Sequence, residues 1–371
     1  MNTLSDKKTV RLESLDFLRG LIMVLLVLDS TGCYEYIREA ISDKGSFGFV
    51  IISQFFHIHW QGLHFWDLVQ PLFMFMAGAA MAYSLSKQSA DGVRWKDRFI
   101  KIAKRSALLL FFGLFKRISD PDWLSLETLD VTDILTQLAF TTLIAFFLFD
   151  LKIKYQLLAC FGILLLTDVL YRFCAAPGFN QGYTEFQNFG NYVDWILFGQ
   201  KPNEYVFINW LPTAVHTIAG TIVGKIIMQA NKQLRIFILS GLVLLLIGYG
   251  LDFLNLIPMI KRIATVSFIT ASLGFALLFL ALSYWWIDVR LHKKGLLFFQ
   301  VFGMNSIFIY LFSEIVGRNW LNGYGIMILS PIFKMMNMGD HLILVFSSLS
   351  VFAVEWYICF FLYKKKLFFK L

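Results

Sequence analysis

The sequence predicts an all-α fold: a polytopic integral membrane bundle of about ten transmembrane helices with both termini cytoplasmic. Three observations carry this. Of 371 residues, 58% are hydrophobic and only 16% charged, where soluble domains carry roughly 25% charged residues. Apolar stretches near the roughly 20 residues that a spanning helix needs recur along the whole chain. The basic residues gather in alternate connecting segments, as the positive-inside rule requires.

In order, the expected spans are Phe17–Tyr36, Leu68–Leu85, Ile102–Ile118, Val131–Phe149, Tyr155–Phe173, Leu211–Met228, Ile236–Phe253, Ile263–Ile287, Leu296–Val316 and Leu342–Tyr363. The segment Ile326–Met338 is interrupted by Pro331 and is expected as a short re-entrant helix. Most of the 33 basic residues then fall on one side: Lys7, Lys8, Arg11 and Arg19, the run from Lys87 to Arg105, Lys152 and Lys154, Lys225 to Arg235, Arg290 to Lys294, and Lys364 to Lys370. No internal repeat or low-complexity linker divides the chain, so residues 1–371 are read as one membrane domain. The net charge of +8 reads as a topology signal, and nucleic acid is not expected. Met1 to Arg19 lacks the pattern of a cleavable signal peptide. The four cysteines show no metal-site spacing; Cys33 and Cys174 fall near the expected outer face, where a disulfide is chemically permitted but not fixed by spacing.

Function is suggested by the polar residues. His57-Ile58-His59-Trp60-Gln61-Gly62, then His64 and Asp67-Leu68-Val69-Gln70-Pro71, place three imidazoles and a carboxylate at the mouth of the second span. An imidazole that titrates near neutral pH beside an acid suits proton transfer or acyl transfer. Asp67 is either a helix N-terminal acid or the group that orients His57. Asp29 lies about 15 Å beyond Arg19 along an α-helix, near the middle of the expected first span. An aspartate there costs on the order of 3 kcal/mol on insertion scales, so it is expected to face a polar interior. Asp16 and Arg19 have the spacing of an i, i+3 ion pair. Gln137, His216, Asn305, Ser306 and Glu314 lie within or at the ends of spans, where polar side chains either bond neighbouring helices or line a route. Lys101, Lys104 and Arg105 would face anionic lipid or the phosphates of an anionic cofactor. Trp60, Trp66, Trp195 and Trp210 in two long outer loops form either an interfacial belt or a platform for sugar rings.

Several of these residues form motifs. Arg11-Leu12-Glu13-Ser14-Leu15-Asp16-Phe17-Leu18-Arg19-Gly20 resembles the R-x-x-S-L-D-x-x-R-G opening of the heparan-alpha-glucosaminide N-acetyltransferase family and its bacterial relatives. His57-x-x-Trp60-x-Gly62, continued by Asp67-Leu68-Val69-x-Pro71, is similar to that family's H-x-x-W-x-G-x-x-x-x-D-L-V-x-P. Tyr284-Trp285-Trp286-Ile287-Asp288-Val289 resembles its Y-W-L-I-D-V helix end, and Val301-Phe302-Gly303-Met304-Asn305 with Ile307 and Tyr310 its V-F-G-M-N-A-I-x-x-Y segment. The sequence departs from the pattern at Asp29, where the family has asparagine, and at Gln137, where it has arginine. Lys201-Pro202-Asn203-Glu204 replaces a D-P-E-G loop, and Lys261-Arg262-Ile263-Ala264-Thr265 stands for K-K-x-W-T.

The resemblance implies a multispan acetyltransferase that carries acetyl from cytoplasmic acetyl-CoA to a glucosamine-type acceptor at the opposite face, without a metal. His57 takes the place of the active histidine, with Asp67 and Asp29 as its catalytic partners. Arg19, Lys104, Arg105, Gln137 and Asn305 are expected at the CoA, and Trp60, Trp66, Lys261, Arg262 and Glu314 at the acceptor. Expected partners are acyl-CoA, a sugar or glycan acceptor and the lipid bilayer, with a homodimer open to the chain. A bacterial inner membrane is the expected location. A proton-coupled transporter or flippase, using Asp29 and His57 as a relay, is the rival reading, and O-acylation of an envelope polysaccharide the alternative within the enzyme class.

Overall fold

The protein, described from a computed structural model over residues 12–116, 118, 131–199, 204–229 and 233–369, is mostly helical, with no β-strand beyond two isolated bridges among these residues. Arg11, Lys201, Pro202 and Asn203 lie outside the described residues. The chain begins with α1 (Glu13–Ser30), α2 (Cys33–Ala40) and α3 (Phe47–Ser53), then α4 (Val69–Ala90), α5 (Trp95–Phe115) and α6 (Ile134–Phe149). It continues through α7 (Ile153–Phe173), α8 (Phe189–Phe198), α9 (Trp210–Gln229), α10 (Gln233–Phe253) and α11 (Val266–Ser283). The last elements are α12 (Leu296–Met304), α13 (Ser306–Phe312), α14 (Asn322–Met335) and α15 (Asp340–Lys364). Short 3₁₀ turns at Phe65–Leu68 and Phe207–Asn209 lead into α4 and α9, and Tyr284–Val289 and Ser313–Leu321 are π-helical.

Among the described residues, six helical stretches are long and apolar enough to cross a membrane, or eight if two bent pairs each count as one span. Each of the ten stretches read from the sequence falls on helix, but two fail as uniform spans. The first half of α5 carries Lys96, Arg98, Lys101, Lys104 and Arg105, leaving too short an apolar run, and α6 is only 16 residues long. The first and ninth are broken. Gly32, at φ +75°, separates α1 from α2 across a 62° bend, and Asn305 stands at the 77° break between α12 and the helices that follow. Pro331 does not interrupt its segment: the π-helical stretch runs on into α14 with the proline inside the helix. All four cysteines are free, so Cys33, which is buried, and Cys174, which is exposed, are not joined.

Burial sorts the spans into layers. The apolar windows of Phe65–Ala90 and Val266–Val289 are 72% buried and that of Phe207–Met228 67%, against 17% for Ile153–Phe173 and Leu234–Phe253. The first three make the interior, and the other two turn apolar side chains such as Phe161 and Leu246 outward, as a lipid-facing helix does. Glycine permits the closest inner contacts. A Cβ at Gly78 would lie 2.0 Å from the Thr217 carbonyl oxygen, and one at Gly220 2.0 Å from that of Phe75, so α4 and α9 meet backbone to backbone. Gly20 and Gly303 bring α1 against α12 in the same way.

Candidate active site

The loop after α3 is fixed at several points. Trp66 N–H donates to the Gln54 carbonyl (2.9 Å), Phe65 N–H to Gln54 Oε1 (3.3 Å), and His64 Nδ1 pairs with the Phe56 carbonyl (2.9 Å). Gly62, at φ +121°, donates its N–H to Met259 O (2.7 Å), and Gln61 Nε2 donates to Asp252 Oδ1 (3.1 Å). These bonds join the His57 loop to the loop between α10 and α11, so residues 204 positions apart in sequence become neighbours. There Ala264 takes φ +48°, a left-handed conformation costing about 1–2 kcal/mol for a residue with a Cβ. Its N–H on the Lys261 carbonyl (2.9 Å) and the Thr265 N–H on Ile260 O (3.1 Å) close the turn that presents Lys261.

The result is a compact charged group. Asp67, fully buried, receives His57 Nδ1 at 2.7 Å on Oδ1, and the backbone N–H groups of His64 (3.0 Å) and Ile58 (3.5 Å) on Oδ2. Lys261 Nζ is 3.5 Å from Asp67 Oδ1 and 3.1 Å from His57 Nδ1. One nitrogen cannot both donate to the carboxylate and accept from the ammonium. The 2.7 Å contact to a carboxylate decides for Nδ1–H, with Oδ1 shared between imidazole and ammonium and the lone pair left on Nε2. Burial pushes the His57 pKa below its usual 6.5, and Lys261 and Arg262 add to this against the opposing pull of Asp67. Burial also lowers Lys261, to about 8, with Asp67 again opposing. His57 is therefore a neutral base near pH 7.

His57, with 40% of its side chain exposed, opens onto a cavity of about 290 Å³. Trp66, Val69, Gln70, Tyr205 and Lys261 line it with His57, and so do Leu26, Lys116, Thr132, Asp133, Ile134 and Tyr310. Asp133 caps α6 through Leu135 N–H (2.8 Å) and holds both the Lys116 ammonium and the Tyr310 hydroxyl (2.9 Å). Gln70 donates to Gln137 Oε1 (2.8 Å), whose own amide donates to the Thr132 carbonyl (2.9 Å). The volume is at the small end for ligand pockets, enough for reacting groups but not for a whole coenzyme.

The other expected residues are distributed unevenly. Trp66 and Lys261 are in the cavity wall, and Gln137 supports it from behind. Arg262 stands next to Tyr205 at 5.5 Å and pairs with Glu204 and, at 3.8 Å, with Glu185. Trp60 is turned away, its indole N–H on the Tyr183 carbonyl (3.0 Å). Asp29 lies at the end of α1 beside Arg318 (3.9 Å), which also pairs with Glu314 (3.5 Å), and neither acid lines the cavity. Arg19 is held by Asp16, Arg105 lies within the field of Arg19, and Lys104 is exposed. Asn305 spends its side chain on the C-terminal segment, donating to Leu367 O (3.1 Å) and accepting from Phe369 N–H (3.0 Å). Sequence reasoning missed Lys116, Asp133 and Tyr205. An aspartate just before the apolar run of α6 is a cap signal that could have flagged Asp133.

A sequence family described as a domain of unknown function (DUF5009) matches residues 11–214. The chain belongs to this family. The matched DUF5009 stretch carries His57, Asp67, Lys116, Asp133 and Tyr205, and ends before Lys261 and Tyr310. The chain is also similar to two curated proteins, in agreement with the motif resemblance. It is 24% identical to heparan-alpha-glucosaminide N-acetyltransferase of Mus musculus over 426 residues, covering 97% of this chain and 60% of that protein. It is 23% identical to heparan-alpha-glucosaminide N-acetyltransferase of Homo sapiens over 369 residues, covering 82% and 53%. The chain thus spans little more than half the length of these relatives.

Proposed function

We propose that this protein is a membrane acyltransferase that moves acetyl from acetyl-CoA to an amino-sugar or glycan acceptor, with His57 as the reacting base. The observation that carries this reading is the buried Asp67 carboxylate bound to His57 Nδ1 at 2.7 Å on the wall of a cavity. That bond fixes the tautomer in which Nε2 holds the lone pair. As the acceptor nitrogen or oxygen attacks the thioester carbonyl, Nε2 takes its proton; the new C–N or C–O bond forms as the C–S bond breaks and the thiolate leaves. A two-step route, in which Nε2 first accepts the acetyl group, uses the same lone pair. The names of the two relatives, both N-acetyltransferases, support transfer of acetyl to an amine over O-acylation.

In this reading the whole chain is one membrane domain of a bacterial inner membrane, with ten membrane passages and both termini cytoplasmic. The donor's phosphates meet Arg19 and Arg105 at the cytoplasmic side. The test is thermal denaturation of the detergent-purified protein with acetyl-CoA, CoA and longer acyl-CoAs, because a ligand that binds the native state raises the melting temperature. A shift that depends on the acyl-CoA is expected. No shift at saturating donor, with a folded protein, would turn the reading to the transporter.

A further inference from the structure

The attack on a thioester places negative charge on the carbonyl oxygen, and a preorganised donor aimed at that oxygen is worth about 10²–10³ in rate. Two ammonium groups line the His57 cavity, Lys261 and Lys116. Lys261 is bound on the Nδ1 edge of His57, 3.1 Å from that nitrogen and 3.5 Å from Asp67, with only 7% of its side chain exposed. It sits behind the base, away from Nε2, where the reaction occurs. Lys116 reaches the cavity from the end of α5, a separate helix, and Asp133 holds it there. Asp133 is itself fixed by the α6 backbone and by the Tyr310 hydroxyl, so three helices set the position of the ammonium. Neutral donors also line the cavity, among them Gln70, with one N–H on Gln137, and the Tyr310 hydroxyl, which is on Asp133; charge-assisted bonds are roughly twice as strong as neutral ones.

We propose that Lys116, positioned by Asp133 and Tyr310, is a catalytic residue that stabilises the oxyanion formed at the donor's thioester carbonyl in the cavity it lines together with His57. The proposal rests on the acyl-transfer reading. In the attack step, electrons from the carbonyl π bond move to oxygen, which the Lys116 ammonium holds; they return as the C–S bond breaks and the thiolate departs. If Lys116 were only a tie between α5 and α6, its loss would lower the melting temperature and leave the rate per folded molecule unchanged.

The experiment compares wild type, Lys116→Met, Lys116→Arg and Asp133→Asn for thiol release from acetyl-CoA with glucosamine as acceptor, alongside the donor-induced thermal shift. Expected are a kcat for Lys116→Met lower by about 100-fold or more, a donor KM within about threefold of wild type and a retained donor shift. Lys116→Arg, which keeps the charge, recovers at least tenfold of the loss. Asp133→Asn keeps the helix cap, since asparagine caps as well as aspartate, yet lowers kcat about tenfold at unchanged KM. A folded Lys116→Met with kcat within threefold of wild type overturns the inference, as does a loss confined to KM. Should that variant not fold, Lys116→Gln is judged by the same two criteria, with Lys116→Arg expected to keep at least tenfold more of the rate than Lys116→Gln. A wild type that neither binds donor nor transfers acetyl refutes the transferase reading itself, whereas a working wild type matched by Lys116→Met refutes only the role of Lys116.

Discussion

Replacing Asp67 with asparagine separates what the carboxylate does for the chemistry from what it does for the fold. Asp67 and Lys261 expose 1% and 7% of their side chains. Asp67→Asn therefore leaves a buried ammonium without its anion, and breaking a buried pair from one side costs about 3–5 kcal/mol. The same change removes the group that fixes Nδ1–H on His57. Loss of one or two hydrogen bonds to a charged group, at about 1.5–3 kcal/mol each, corresponds to a fall of roughly 10–10⁴ in kcat. The double variant Asp67→Asn/Lys261→Met removes the stranded charge and is expected to regain most of the stability but little of the activity. Thermal denaturation in detergent reads the first effect, and thiol release from acetyl-CoA the second. A single variant within threefold of wild-type kcat would refute the orienting role, and a double variant no more stable than Asp67→Asn would refute the stranded-charge argument.

Other expectations follow from the same geometry. Because burial holds His57 below pH 6.5, its base form is already dominant at neutrality; kcat should rise with pH and level off below 6.5, and Lys261→Met, which removes a nearby positive charge, should move that limb upward. A second inflection near pH 8, where Lys261 loses its proton, should be present in wild type and absent from Lys261→Met. Gly220→Ala sets a Cβ 2.0 Å from Phe75 O and should cost about 1–3 kcal/mol or more, whereas Gly250→Ala, with nothing within 4 Å, should raise the melting temperature slightly. Asn305→Ala removes both bonds to Leu367 and Phe369, and faster limited proteolysis of the C-terminal segment should follow.

The fold was legible where local pattern controls it. Long apolar runs mark helices whatever their tertiary surroundings, so each of the ten expected stretches overlaps a helix among the described residues. What the runs do not reveal is where a helix breaks: Gly32 and Asn305 bend chains that read as continuous. Asp29 illustrates the consequence, since a straight first span puts it mid-membrane and the break puts it at a helix end beside Arg318. Within the site, His57 and Asp67 were legible because ten residues separate them within one loop. Lys261 came only through the motif resemblance, because a loop 204 residues away carries it. Lys116 and Asp133 sit among many scattered charges, and only tertiary packing brings them to His57.

The most direct test of the central claim is transfer of isotopically labelled acetyl from acetyl-CoA to glucosamine by purified wild type and His57→Ala, with product identified by mass and donor binding checked by thermal shift in both. Acyl transfer at His57 predicts labelled N-acetyl product from wild type and at least a hundredfold less from a folded His57→Ala that still binds donor. Equal product from the two proteins would contradict it.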